Sequence, residues 1–130
     1  MIADTTFLID IMDGNREAIL KAKMLESRGL AISITSLSKF ELYAGLRKSS
    51  KKEEEQEKIL NVMAWLTVYS LDEVSATETG EIYSEKRVAG FQIRTTEAMI
   101  AGICRLRNEQ ILTRNVKHFN GVDCVVVESY

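Results

Sequence analysis

Proline is absent from all 130 residues. No X–Pro bond can therefore slow folding by cis–trans isomerisation. Histidine occurs once and cysteine twice, at positions 104 and 124. That scarcity leaves no His/Cys cluster for a zinc site. The cysteines show neither metal nor redox spacing, and their apolar surroundings read as buried free thiols in a reducing cytosol. Long apolar runs are missing as well: nothing approaches the roughly 20 residues that span a bilayer. The opening lacks the cationic-then-apolar order of a secretory signal. The expectation is a cytoplasmic protein with no membrane association. No glycine-rich loop follows any apolar run, which removes support for a nucleotide-binding fold.

What remains is an ordinary globular mixture, 45% hydrophobic and 28% charged. One domain over residues 1–130 is expected, of a size that buries a core without staples. The net charge of −2 does not by itself point to a polyanionic partner, but charge is unevenly spread. "KKEEEQEK" concentrates acid on what reads as a solvated helix face. Lys39, Arg47, Lys48, Arg94, Arg105, Arg107, Arg114 and Lys117 are left to form a local basic rim.

The elements alternate. "IADT" reads as a short strand, and "NREAILKAKMLESRG" as a helix stopped at Gly29. "LAISIT" is a second strand. "SKFELYAGLRK" and "EEEQEKILNVMAWL" are helices, "TVYSL" a third strand, and "EVSATETGEIYSEKRVAG" a helix to Gly90. "TTEAMIAGICRLRN" is a helix capped by Thr95 or Thr96; "QILT" and "CVVVES" are the last strands. Strands alternating with helices imply right-handed crossovers and a mainly parallel sheet with helices on both faces. Ligands of such sheets bind beyond the carboxyl ends of the strands, where the strand order reverses.

Four polar residues are expected at that edge. Asp4 leaves the first strand, Glu41 lies early in the helix after the second, Glu97 opens the helix "EAMIAGICRL", and Asn115 follows "QILT". Carboxylates packed together repel unless a cation or shared proton offsets them. Hard divalent cations take oxygen ligands, so Mg²⁺ or Mn²⁺ is the natural occupant. Each residue also has an ordinary structural explanation. Asp4 can end a strand in an Asx turn. Glu41 can close a capping box with Ser38. Glu97 can complement a helix dipole, and Asn115 can form a turn. Taken together, these local roles do not account for all four falling on one edge.

Thr6 and Thr113 are placed to hydrogen-bond a carboxylate or a bound water. Asp10 and Asp13 read as surface caps, His118 as a partly exposed loop residue, and Asp72 as lying outside the cleft. A phosphoacceptor signalling domain would need an acidic pair after the first strand and a lysine after the last parallel one. The chain has a lone Asp4 followed by Thr5, and "VVVES" ends without lysine.

"MIADTTFLID", "ISITSLSKFELYAGLRK" and "TTEAMIAGICRLRNEQILTRNVKHF" resemble, in order and over nearly the whole chain, the motifs of the PIN-domain family. The length and the "TRNVKHF" wording are most similar to its VapC toxins. That resemblance implies a three-layer α/β/α fold with a roughly five-stranded, mainly parallel sheet. It implies a Mg²⁺-dependent endoribonuclease, the toxin of a type II toxin–antitoxin pair. Asp4 and Glu97 would hold the first metal and Glu41 would complete the acidic ring. Thr113 and Asn115 would orient the attacking water or the leaving side, and Arg114, Lys117 and Arg94 would contact phosphate. The partners implied are RNA, an antitoxin lying along the cleft and a second copy in a homodimer; "ELYAGL" and "KILNVMAWL" are candidates to line an apolar groove for the antitoxin. Two departures stand out. Glu97 takes a position usually held by Asp, and Asn115 one often held by Asp. They motivate the alternative of a catalytically impaired PIN-like domain that binds RNA or a partner.

Overall fold

The structure, a computed structural model, describes residues 1–46, 50–119, 121–123 and 125–130. Arg47, Lys48 and Cys124, named above, lie outside the described residues. Among the described residues the elements are β1 (Ile2–Ala3), α1 (Thr5–Met12), α2 (Arg16–Ser27), β2 (Ser33–Thr35), α3 (Ser36–Leu46), α4 (Lys52–Met63), β3 (Thr67–Tyr69), α5 (Glu73–Val88), α6 (Thr95–Arg107), β4 (Ile111–Leu112), α7 (Val116–Phe119) and β5 (Val127–Glu128).

The five strands form one sheet in the order β3-β2-β1-β4-β5, and every pairing is parallel. Side chains alternate across a strand, and the alternation divides the interior in two. Ile2 and Ile111 point into a core shared with Ile82, Ile100, Ile103 and Phe119, from α5, α6 and α7. Ala3 and Leu112 point the other way, to Phe7, Leu8, Leu25, Leu42 and Ile59, from α1 to α4. Helices therefore cover both faces, as the α/β/α expectation has it.

Local chemistry sets the boundaries. Asn15 caps α2 by accepting from the Glu17 and Ala18 amides, and Gly29 ends it with φ +68°, a conformation glycine adopts without steric cost. The whole "KKEEEQEK" stretch is exposed, and Glu53, Glu54 and Glu55 occupy the first turn of α4, where the helix dipole favours acids. Helices α5 and α6 approach closely at Gly102, where an added Cβ would lie 2.9 Å from the Thr79 amide nitrogen.

Three expectations are corrected here. The first strand ends at Ala3, not Thr5. Asp4 accepts from the Thr5 amide and starts α1, which contains "FLID". Arg105 is no part of a basic rim. It lies against α5, bonded to Glu78 at 2.6 Å, Glu81 at 3.2 Å and Glu85 at 3.4 Å. Asp10, read as a surface cap, is buried. Asp72 caps α5 through a reciprocal pairing with Ser75; the hydrogen bonds from Ser75 hold its carboxyl below the ordinary range. Cys104 is a buried free cysteine, its thiol pushed up by that burial. No helix among the described residues is long and apolar enough to cross a membrane.

Candidate active site

The strand order reverses between β1 and β4. From β1 the chain moves outward to β2 and β3, then returns to the other side of β1 for β4. Such a switch point opens a crevice beyond the strand ends. Asp4 follows β1 there and Thr113 follows β4. The buried Thr113 hydroxyl donates to Asp4 Oδ2 at 2.9 Å. Thr6 donates to the same oxygen at 3.1 Å, and Asp4 Oδ1 accepts from the Thr5 amide at 2.7 Å. Thr113 Oγ1 also accepts from the Asn115 amide at 2.9 Å. Asp4 is thus both the cap of α1 and the anchor of the turn after β4.

A cleft of about 360 Å³ opens over this point, lined by Asp4, Thr5, Thr6, Glu41, Arg94, Glu97, Asn115 and His118, with Phe40, Ile9, Ala44 and Ile100 among its apolar walls. All four residues expected at the sheet edge line it. Arg94 lines it too, whereas Lys117 is exposed beside it on α7. Glu41 does not close a capping box: Ser38 is taken up by Thr35, and Glu41 Oε2 instead accepts from Thr5 Oγ1 at 2.5 Å. Glu97 does act locally. Its Oε2 accepts from the Arg94 amide at 3.0 Å, and its Oε1 lies 3.4 Å from Arg94 Nε and 2.7 Å from His118 Nδ1. His118, read as a loop residue, is half-buried on the short α7 and belongs to the site. The signal for it was its position three residues after Asn115, one helical turn on. Arg114 turns along α1, where its Nη1 lies 3.0 Å from Asp10.

The donor set suits a hard cation: carboxylate and carboxamide oxygens, with no sulfur among the cleft's lining residues. Among the described residues no three His, Cys, Asp or Glu side chains are gathered into a ready-made cage. Mg²⁺ seldom needs one, since it takes one or two carboxylates and keeps several waters. The residues present fit such an ion on that basis.

Next to the cleft, and sharing Ile9 and Glu41 with it, runs a second, more apolar groove of about 260 Å³ between α1, α3 and α4. Met12, Leu42, Gly45, Leu46, Lys58 and Ile59 line it; all but Met12 belong to the two segments expected to do so.

A parallel five-stranded sheet with a carboxylate at its switch point and further acids around one cleft defines a class of α/β protein whose chemistry sits beyond the strand ends. Comparison with known proteins narrows that class. The PIN domain family model matches residues 1–123, and the chain belongs to the PIN-domain family. It is 24% identical over 127 residues to ribonuclease VapC2 of Rickettsia felis, covering 98% of this chain and 95% of that protein. It is 28% identical over 116 residues to the tRNA(fMet)-specific endonuclease VapC of Shigella flexneri, covering 89% and 87%. Among solved structures, VapBC2 of Rickettsia felis bound to a promoter DNA fragment matches with a TM-score of 0.91 at 22% identity, over 99% of this chain and 97% of that one. DNA-bound VapBC of Salmonella typhimurium matches with a TM-score of 0.88 at 25% identity, over 98% and 96%.

Proposed function

We propose that this chain, as one PIN domain over residues 1–130, is a Mg²⁺- or Mn²⁺-dependent endoribonuclease and the toxin of a type II toxin–antitoxin pair. The observation that carries the reading is Asp4 at the sheet's switch point, tied to Thr6 and Thr113 and facing Glu41, Glu97 and Asn115 across one cleft. The names of the VapC relatives support it.

Asp4 and Glu97, with Glu41 beside them, would hold the cation, Glu97 giving up its pairing with His118. A bound divalent cation neutralises charge on the phosphoryl oxygens and makes water a better nucleophile at neutral pH. The protein's own groups do the rest. Thr6 and Thr113 fix the Asp4 carboxylate by hydrogen bonds. Asn115 orients the attacking water or the leaving side; Thr113, expected to share that role, is buried and acts through Asp4 and the Asn115 amide. Arg94, whose side chain is 73% exposed, contacts phosphate at the rim, with Lys117 beyond it; Arg114, expected to join them, is held by Asp10. Such contacts place the strand without reading its sequence.

The neighbouring groove suits the apolar face of an amphipathic antitoxin segment. Because the groove shares Glu41 with the cleft, a segment seated in it would reach the acids and exclude RNA. We further propose a homodimer acting in the cytoplasm.

The test is cleavage of total and transfer RNA by the purified chain with Mg²⁺ or Mn²⁺, against EDTA and Asp4→Asn. Metal-dependent cleavage lost in Asp4→Asn is the expected result; identical behaviour of the two proteins rules out the enzyme. One observation favours a second reading. Glu97 is already engaged by Arg94 and His118, as in a domain that binds RNA or a partner without cutting. That reading predicts RNA binding by wild type and Asp4→Asn alike, with no cleavage by either.

A further inference from the structure

We propose that Asp10, Arg114 and Tyr130 form a clasp that positions Asp4 and the Thr113–Asn115 turn for the reaction. The inference rests on the nuclease reading of the cleft, but its physical part can be tested without it.

Asp10 follows Thr6 by four residues on α1, so the two share a stripe of the helix. It is only 6% exposed. A carboxylate so buried is costly unless paired and hydrogen-bonded. Its partners come from far along the chain. Arg114 Nη1 lies 3.0 Å from both carboxylate oxygens, and the Tyr130 hydroxyl donates to Oδ2 at 2.7 Å. The Tyr130 ring packs edge-on against Phe7, centroids 4.9 Å apart at 77°. Burial, then the bond to Asp10, raise the phenol's pKa, which keeps it a donor.

Two paths then run from Asp10 to Asp4. One runs along α1 to Thr6, one turn back, whose hydroxyl donates to Asp4 Oδ2 at 3.1 Å. The other passes through Arg114 to its neighbour Thr113, whose hydroxyl is 2.9 Å from the same oxygen. The ring closes on Asp4 Oδ2 and holds Asn115, the residue after Arg114, beside it. An ion pair in such a place contributes little net stability over an apolar pair of equal volume. What this one fixes is geometry, and misplacing a reacting group by about 1 Å can cost about 100-fold in rate. The three residues are positioning residues; none lines the cleft.

Tyr130→Phe keeps the ring on Phe7 and removes only the donor; Asp10→Asn removes the charge at constant shape. Two measurements apply to each variant, with thermal unfolding as the check that it is folded. The first is native-state hydrogen exchange at the Thr5 and Asn115 amides, which bond to side-chain oxygens of Asp4 and Thr113, against Ile34 and Ile103 in the cores. The second is RNA cleavage with Mg²⁺, resolved into kcat and KM. The clasp predicts exchange roughly three- to tenfold faster at Thr5 and Asn115 alone, the size of one lost hydrogen bond, and a similar fall in kcat with KM unchanged. Unchanged exchange at those amides, a uniform rise across all four, or an active wild type whose variants keep full kcat each overturn it. A wild type that cleaves no RNA removes the nuclease reading, and the exchange arm then decides the clasp alone.

Discussion

Thr113 and Asp4, 109 residues apart in sequence, are joined by a hydrogen bond of 2.9 Å between fully or nearly buried groups. The bond ties the end of the central strand to that of its neighbour β4 at the switch point. It also makes Thr113 serve two neighbours, since the same oxygen accepts the Asn115 amide. Thr113→Val keeps the volume and removes both bonds, leaving a carboxylate and an amide short of partners. The expected loss is about 1–3 kcal/mol of stability, read from urea unfolding. Thr113→Ser, which keeps the hydroxyl, is expected to stay much closer to wild type.

Glu97 combines a local role with a proposed chemical one, and two substitutions separate them. Glu97→Gln retains an oxygen to accept the Arg94 amide but loses the charge. Stability near wild type is expected, with cleavage down by about 100-fold or more. Glu97→Ala loses the cap as well, and about 0.5–2 kcal/mol of stability should go with it. Parallel thermal unfolding and cleavage assays distinguish these outcomes. Equal stability of the two variants would remove the capping role, and full activity in Glu97→Gln would remove the chemical one.

Alternating strands and helices implied the parallel sheet, and the step from apolar strand to polar residue placed Asp4, Glu41, Glu97 and Asn115 at one edge. Both inferences need only local pattern plus the handedness of crossovers. Asp10 reads as a surface cap because the partners that bury it lie 104 and 120 residues away. Locally it is just an acid near the end of an apolar run. The start of α1 is hidden by the strand that precedes it. The eight residues of "TTFLIDIM" carry on the apolar run of the strand, with only Thr6 and Asp10 to mark a polar stripe, too short a segment for the helical period to be decisive. His118 reads as a loop residue because the four-residue α7 is too short to carry a periodicity, and its pairing with Glu97 bridges two elements. Arg105 reads as one more cation of a rim because its three glutamates sit on a different helix.

The groove between α1, α3 and α4 offers a substitution that leaves the protein's own packing alone. Gly45 lines it, and a Cβ built there meets nothing within 4 Å. Gly45→Leu should fold as well as wild type or gain about 0.5–1 kcal/mol, because glycine is a poor residue inside a helix. The added side chain fills the groove. If an amphipathic antitoxin segment occupies it, binding should weaken at least tenfold, on the order of one overpacked side chain. Calorimetric titration with the cognate antitoxin reads this out, with RNA cleavage by Gly45→Leu as the control that the cleft is intact. Unchanged affinity would place the antitoxin elsewhere.

Tyr130 and Cys104 predict the alkaline limb of stability. Burial and the adjoining Asp10 raise the Tyr130 phenol above its ordinary 10.0. Burial raises the Cys104 thiol above its ordinary 9.0. In each case the folded protein keeps a proton that the unfolded chain releases. Where the folded state binds more protons, stability falls as pH rises. Both contributions are therefore fully present below the unfolded values and are lost as pH climbs from those values toward the folded ones. Thermal unfolding followed from neutral pH to about pH 11 should show a decline beginning near the thiol's ordinary value and steepening past the phenol's. Tyr130→Phe has no phenol to titrate, so its decline above that point should be shallower than wild type, even though it starts from a lower stability at neutral pH. Cys104→Ala should flatten the earlier part of the limb in the same way. Parallel pH profiles for wild type and Tyr130→Phe would mean that the phenol is as free to ionise in the folded protein as in the unfolded chain, and hence that its bond to Asp10 does not persist in solution.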